Sequence, residues 1–400
     1  MRVFMYESAL TRRIVGPGAE GFKTSDRAEA LVREGKDIII LTLGDPDFDT
    51  PSSITDAAVA ALRSGRTHYT PVPGVRKLRE AIAAEQRRID GGAWDFDNVV
   101  VFPGAQSALF SAMMCVADRE STVVTFDPTY ATYAAVVGAS GARNEIVPME
   151  LPWNGGSVPR IDFDRMQSAL KGNVSAILLN SPNNPGGFTF HDDDLQRLAN
   201  LCVERSIWLL SDEVYRDLLY DGRFRPVSAL SGMQERTIII NSLSKSHAMT
   251  GWRLGWAVAP RPMARHLERF AQCSLFGSPP FIQDAAIEAL TTAETYVRPM
   301  RAEYQRRLCA LLDALQGDIM LKCLRPVGGM FVLIDISRTG LKSGIFAERA
   351  LDEAGVAVVP GSAFSLTGGS YVRVSFATDI GRIVEGVNRL KAFAASLAPL

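Results

Sequence analysis

Cysteine is sparse and unorganised in this sequence: Cys115, Cys202, Cys273, Cys309 and Cys323 are odd in number, scattered, and form no C-x-x-C pair. That argues against a disulfide framework or a thiolate metal site, and it suits a reducing, cytoplasmic setting. An excess of one charge is equally lacking. With 43 Lys+Arg against 44 Asp+Glu the formal net charge is −1, so there is no electrostatic case for a nucleic-acid or anionic-membrane partner. No apolar run approaches membrane-spanning length, and the stretch Met1–Arg13 lacks the apolar core and cleavage site of a signal peptide. Repeats and low-complexity segments are also missing. The one dinucleotide-like glycine pattern, GPGAEG at 16–21, follows no strand and carries Pro17 inside its loop. It reads as a flexible N-terminal turn, not as a NAD site.

What is present is ordinary globular composition, 47% hydrophobic and 22% charged over 400 residues, a length that suits two domains. Three short apolar runs each end in an elaborate polar turn. Val174–Leu179 leads into NSPNNPGG (Asn180–Gly187), Ile207–Leu210 into SDEVYRDL, and Thr237–Asn241 into SLSKSHAMTGWRLGW (Ser242–Trp256). Apolar runs of this length suit buried parallel strands, and open α/β sheets bind ligands beyond the carboxyl ends of such strands. Asn184, Asp212 and Lys245 are therefore expected along one sheet edge. Asn98–Phe102 followed by PGAQSALF adds a strand, a glycine and a helix start, the arrangement that aims backbone N–H groups at an anion. Asp37–Leu43, Thr122–Phe126 and Leu254–Ala259 read as further strands. Helices are expected from Pro51 to Arg63 and over Val75–Arg88, Asp162–Leu170, Asp192–Glu204 and Asp284–Leu290, whereas Met1–Lys36 shows no strong period. After a long helical region from Ala293 to about Leu315 the pattern changes. Strands over Ile319–Leu324, Met330–Ile334, Val356–Val359 and Tyr371–Phe376, with a helix near Ile345–Ala354, suggest a smaller α+β domain.

Lys245 sits among small polar residues directly after an apolar strand. A surface lysine in a serine-rich turn is the simpler account of an isolated S-x-S-K, but the strand-end position and the following GWRLGW favour chemistry. The reading adopted is an imine-forming lysine that holds the aldehyde of pyridoxal 5'-phosphate (PLP), with Ser242, Ser244 and Arg253 donating to the phosphate. Such an amine must spend time neutral, which desolvation or a cation such as Arg253 can bring about. Tyr69 in THYTPVPG and Tyr130 or Tyr133 in DPTYATY are aromatic candidates to face a ligand.

Together GDPDFDTP, YTPVPG, NSPNNPGG, SDEVY, SLSKSHAMTGWRLGW and YVRVSF resemble, in order and over nearly the whole chain, the class I/II aminotransferases of the fold-type I PLP enzymes. The resemblance implies an α/β fold: a large PLP-binding domain (47–295) with a mostly parallel central sheet and helices on both faces. A smaller α+β domain (296–400) is joined by the N-terminal segment (1–46). It implies Lys245 as the catalytic lysine, Asp212 as the carboxylate beside the pyridine nitrogen, and Asn184 and Tyr215 as partners of the phenolic oxygen. Ala105, Gln106, Ser242, Ser244 and Arg253 would form the phosphate cup, with Tyr69 reaching in from the neighbouring subunit of a homodimer. Tyr130 would stack on the ring. Arg373 would clamp the substrate carboxylate, helped by the Gly44 backbone and Asn184, and Pro128 and Pro185 are expected to be cis. The implied reaction is ping-pong transfer of the α-amino group of an L-amino acid to an α-keto acid such as pyruvate.

Two departures stand out. Gly187 replaces a usual Thr or Ser and is expected to loosen a loop contact; His247 replaces a common aromatic and is expected to serve packing or polar support. Trp252 and Trp256 are read as structural. SLSKSHAMTGWR, GSPPFIQDAA and RPVGGMFVLIDI are similar to bacterial arginine:pyruvate transaminases, which makes arginine the expected donor. Glu20, Asp26 and Asp47 then become candidates to receive a guanidinium, against the plainer reading of surface acids. An aromatic or aspartate-type aminotransferase, and a PLP-dependent β-eliminating lyase, stay open as alternatives.

Overall fold

The computed structural model describes residues 7–14, 18–153, 158–365 and 368–397. Its frame is an eight-stranded sheet built from β2 (Val99–Phe102), β3 (Thr122–Asp127), β4 (Arg143–Glu150), β5 (Arg160–Ile161), β6 (Val174–Asn180), β7 (Trp208–Asp212), β8 (Thr237–Ser242) and β9 (Gly255–Val258), in the order β2-β9-β8-β7-β6-β3-β4-β5. The run from β8 through β7, β6 and β3 to β4 is parallel, while β9 and β5 join antiparallel. Central strands alternate between two buried faces. Ile177, Leu179 and Leu209 pack into one core, and Ala176, Leu178, Leu210, Ile238 and Ile240 into the one opposite. Two covered faces are why these strands read as continuous apolar runs.

Register sets the functional edge. Asn180 pairs with Asp212, and Asp212 with Ile240, so β6 and β7 end level and β8 runs two residues further, to Ser242. Beyond them, a second, antiparallel sheet has the order β10-β11-β14-β13, made from Lys322–Leu324 (β10), Phe331–Asp335 (β11), Val359–Pro360 (β13) and Tyr371–Ser375 (β14). A two-residue β1 (Ile39–Ile40) pairs in parallel with β12 (Val356–Ala357), and Ser375 N–H donates to Leu41 O at 2.8 Å. The N-terminal stretch is thereby tied to the C-terminal sheet. Among the described residues, no helix is long and apolar enough to cross a membrane.

Several local expectations are corrected. Residues 18–33, read as aperiodic, form a 16-residue helix. Arg143–Glu150 and the helix Arg261–Ser274 were not anticipated, and the helix expected over Asp284–Leu290 starts earlier, spanning Pro280–Thr291. The single strand expected over Val356–Val359 is split between two sheets. Pro128 and Pro185 follow cis bonds as expected, and so does Pro182.

Gly187 does not loosen its loop. It holds φ +64, and a Cβ there would come within 2.5 Å of Pro326 Cβ and 2.6 Å of Gly328 O. Its carbonyl accepts from the N–H groups of Val327 (2.8 Å) and Gly328 (2.9 Å), so two backbones meet where only glycine fits. Gly187→Ala is expected to cost about 2–4 kcal/mol in urea unfolding through the left-handed backbone and the clash. A loss below about 0.5 kcal/mol would mean that the turn relaxes freely.

Candidate active site

Leu243, Ser244 and Lys245 leave the end of β8 and turn back toward the N-terminal stretch, where Lys245 Nζ donates to Gly44 O at 2.5 Å. Burial pushes the amine down to about 8; Arg253 and Arg373 act in the same direction and Asp45 against it. The turn is held from behind, with Thr50 Oγ1 donating to Ala248 O (2.6 Å) and accepting from Trp252 Nε1 (3.0 Å). His247 is buried and bridges Ser246 Oγ (2.8 Å) and Ala289 O (3.1 Å), a polar support role.

Arg253 takes a left-handed backbone, φ 51, and anchors Nη1 on Thr250 O at 2.8 Å. A Cβ on Gly104 would lie 2.5 Å from Arg253 Nη2, so that glycine lets the guanidinium lie over the start of the helix Ala105–Val116. This helix has no side-chain N-cap, which leaves its first N–H groups open to an anion. Ser242, Ser244, Ala105, Gln106 and Arg253 all line one cavity of about 430 Å³.

Asp212, at the end of β7, accepts from Tyr133 Oη (2.6 Å) and Val214 N–H (3.3 Å). It is buried, and among the described residues no cation pairs with it. Burial pushes its carboxyl up to about 6, with the two hydrogen bonds opposing. A buried carboxylate with no cation is costly unless one arrives, and the protonated nitrogen of a pyridine ring is such a cation. That orphaned charge, together with the uncapped helix start beside Arg253, fits PLP.

Arg373 on β14 lies over the rings of Phe331 (4.1 Å) and Phe364 (4.7 Å). Its Nη1 donates to Asn184 Oδ1 at 3.1 Å and Nη2 to Thr42 O at 2.7 Å, while its buried Nε has no partner. Burial lowers this guanidinium to about 10. Asn184 also hydrogen-bonds the Tyr215 phenol, which burial pushes up. Tyr130 lines the cavity with its ring edge-on to Tyr133, centroids 5.6 Å apart.

Twelve of the thirteen residues expected to hold the cofactor and the substrate carboxylate therefore line one cavity, and Tyr69 is the one that does not. Tyr69 is 87% exposed and leans on Phe276, ring centroids 5.3 Å apart. Gly44 meets Lys245 through its carbonyl, and Thr42 is the residue of that stretch that touches Arg373. Asp47 is corrected as a guanidinium receiver for a substrate, because it already holds Arg307 at 2.6 Å. The side chain of Glu20 lies outside the described residues, and Asp26 lines the cavity. Sequence reasoning gave no role to Asn180, whose side chain accepts from Asn184 N–H (2.7 Å) and donates to Asp212 O (3.1 Å). Tyr133 was left unassigned and Glu29 without a role; a tyrosine six residues after the end of β3 was the available signal for the first.

A family profile described as aminotransferase class I and II matches residues 36–390. An arginine–pyruvate transaminase of Pseudomonas aeruginosa is 42% identical over 98% of this chain and 99% of its own length. Among solved structures, aspartate aminotransferase from Thermus thermophilus with maleate superposes with a TM-score of 0.90 at 33% identity, covering 97% of this chain and all of that one. An aromatic aminotransferase from Pyrococcus horikoshii gives 0.85 at 35% identity, over 93% and 99%.

Proposed function

Since this chain belongs to the class I and II aminotransferases, we propose that it carries PLP on Lys245 and moves the α-amino group of arginine, or another basic L-amino acid, to an α-keto acid such as pyruvate. The observation that carries the cofactor assignment is the buried Asp212 carboxylate, without a cation among the described residues, in the cavity that Lys245 also lines. When bound, PLP supplies an aldehyde for the amino group and a ring that takes up the electron pair freed at the donor's α-carbon. Asp212 would hold the ring nitrogen protonated. Ala105 and Gln106 N–H, Ser242, Ser244 and Arg253 would bind the phosphate, Asn184 and Tyr215 the phenolic oxygen, and Tyr130 the ring face. Arg373 would take the donor's α-carboxylate on its free Nε edge. Neutral Lys245 Nζ would remove the proton from the donor's α-carbon and deliver it to the carbon of the cofactor's aldehyde group. Over a full cycle arginine and pyruvate become the 2-oxo acid of arginine and alanine, with no external oxidant.

The exposed Tyr69 and Phe276 support a homodimer in which Tyr69 completes the partner's phosphate cup. Five free cysteines support a cytoplasmic setting.

The substrate reading is tested by single-turnover absorbance of the PLP-loaded protein across an amino-acid panel. Arginine and lysine are expected to discharge the cofactor band faster than aspartate or phenylalanine; the reverse order overturns arginine as donor, and ammonia release in place of the amine form points to a lyase. Uptake of PLP also has a pH signature. Only the neutral amine attacks the aldehyde, so the uptake rate is expected to rise with pH and level off above about 8. A midpoint near the ordinary lysine value of 10.5 would contradict the lowered amine.

A further inference from the structure

Nearly every charge in the cavity already has a task. Its lining cations are Lys245, Arg253 and Arg373, and its acids are Asp212, Asp26 and Glu29. With Asp212 assigned to the ring nitrogen, two carboxylates are left over. Asp26 and Glu29 sit three residues apart on the helix Gly18–Arg33, on one face and about 4.5 Å apart along the axis. The chain does not neutralise them closely. Among the described residues the Asp26 side chain has no hydrogen bond or ion pair, and the Glu29 carboxylate meets only Arg33, at 3.8 Å. The neighbouring Arg27 is committed elsewhere, to Asp352 at 2.5 Å.

The same cavity holds a second unpartnered group, of opposite sign. Arg373 is only 7% exposed, yet its Nε has no acceptor. A ligand that satisfied both ends would carry a carboxylate and, several bonds away, a cation. A dicarboxylic donor would fare worse, because no lining cation is left for its second carboxylate and two acids would face it.

We infer that Asp26 and Glu29 set the specificity of this site by receiving the guanidinium or ammonium end of a basic amino acid whose α-carboxylate lies on Arg373. This rests on the function proposed above and adds the residues that read the side chain. Both acids are exposed, so solvent screens them and the discrimination they give is moderate, about 10- to 50-fold.

The test compares kcat/KM for L-arginine and L-citrulline, its uncharged isostere, in wild type, Asp26→Asn/Glu29→Gln and the charge-keeping Asp26→Glu/Glu29→Asp. Calorimetric binding of the unreactive 5-guanidinopentanoate against 5-ureidopentanoate gives a readout independent of turnover. Wild type is expected to favour the guanidinium compound in both assays, the Asn/Gln pair to lose most of that ratio through KM, and the charge-keeping pair to retain it. Glu34→Gln, outside the cavity lining, should leave the ratio as it is. If the Asn/Gln pair keeps the wild-type ratio, the assignment to this helix is overturned while arginine stands as donor. If wild type itself shows no preference for arginine over citrulline, the donor reading falls and the inference with it.

Discussion

Lys245→Ala is expected to lower turnover by about 10⁴-fold or more, because one side chain supplies both the anchoring amine and the proton transfer at the α-carbon. The fold should not suffer. Lys245 makes one hydrogen bond, to Gly44 O at the cavity wall, where water can replace it. Its amine is pushed down to about 8, so the folded state disfavours the charged form. The sign follows from that. With the folded value below the ordinary 10.5, the stability this group contributes is whole above about pH 10.5 and is lost as pH falls through about 8. At pH 7 the wild-type lysine is charged and burdens the fold, so Lys245→Ala should unfold no more easily than wild type at pH 7. Their difference should shrink at high pH. Borohydride reduction followed by peptide mass analysis should find the cofactor on Lys245 in wild type and nowhere in the variant. Added methylamine should restore part of the rate. Residual activity above about 1% would remove Lys245 from its assigned role.

The position of Lys245 was legible because the physics that buries β6, β7 and β8 on both faces also writes them as apolar runs, with their ends marked by the polar turns that follow. Register then does the rest, and Asn184, Asp212 and Lys245 need no long-range guess to share an edge. The helix Gly18–Arg33 was not legible for the opposite reason. Over its described side chains it buries little beyond Ala28 and part of Leu31, and its sequence carries charges on most sides and no stripe. Whether Asp26 or Asp47 faced the cavity depended on how the N-terminal stretch lies against residues more than 300 positions away, as in the Arg27–Asp352 contact. β4 was missed because its parallel pairing with β3 is supplied by the neighbour; RNEIVPME offers neither alternation nor an apolar run. Gly187 was misread because a sequence shows a missing side chain, and only the approach of Pro326 and Gly328 shows that there is no room for one.

Asp212→Asn is expected to reduce kcat by about 10²–10³-fold and yet to relieve the cofactor-free protein of a burden at neutral and alkaline pH. The loss of rate follows from replacing a carboxylate by an amide, which cannot hold the ring nitrogen protonated. The gain follows from linkage. The Asp212 carboxyl is pushed up to about 6 by burial, above its ordinary 3.8, so the folded chain holds this proton more tightly than the unfolded one. Its stabilising contribution is whole below about pH 3.8 and is lost as pH rises through about 6, beyond which the ionised group costs roughly 3 kcal/mol. Asparagine has the same shape and can still accept from Tyr133 Oη. Its amide brings a constant cost if the N–H₂ meets the Val214 N–H, but a constant cost has no pH dependence. The stability difference between variant and wild type, measured by urea unfolding without cofactor, should therefore climb in the variant's favour from pH 4 to pH 7 and then level off. Loading with PLP should reverse the order, since wild type alone gains a charge pair at this position. A flat difference across that range, or equal stabilisation of both proteins by PLP, would mean that the buried carboxylate is already satisfied by Tyr133 and Val214, and that the ring nitrogen lies elsewhere.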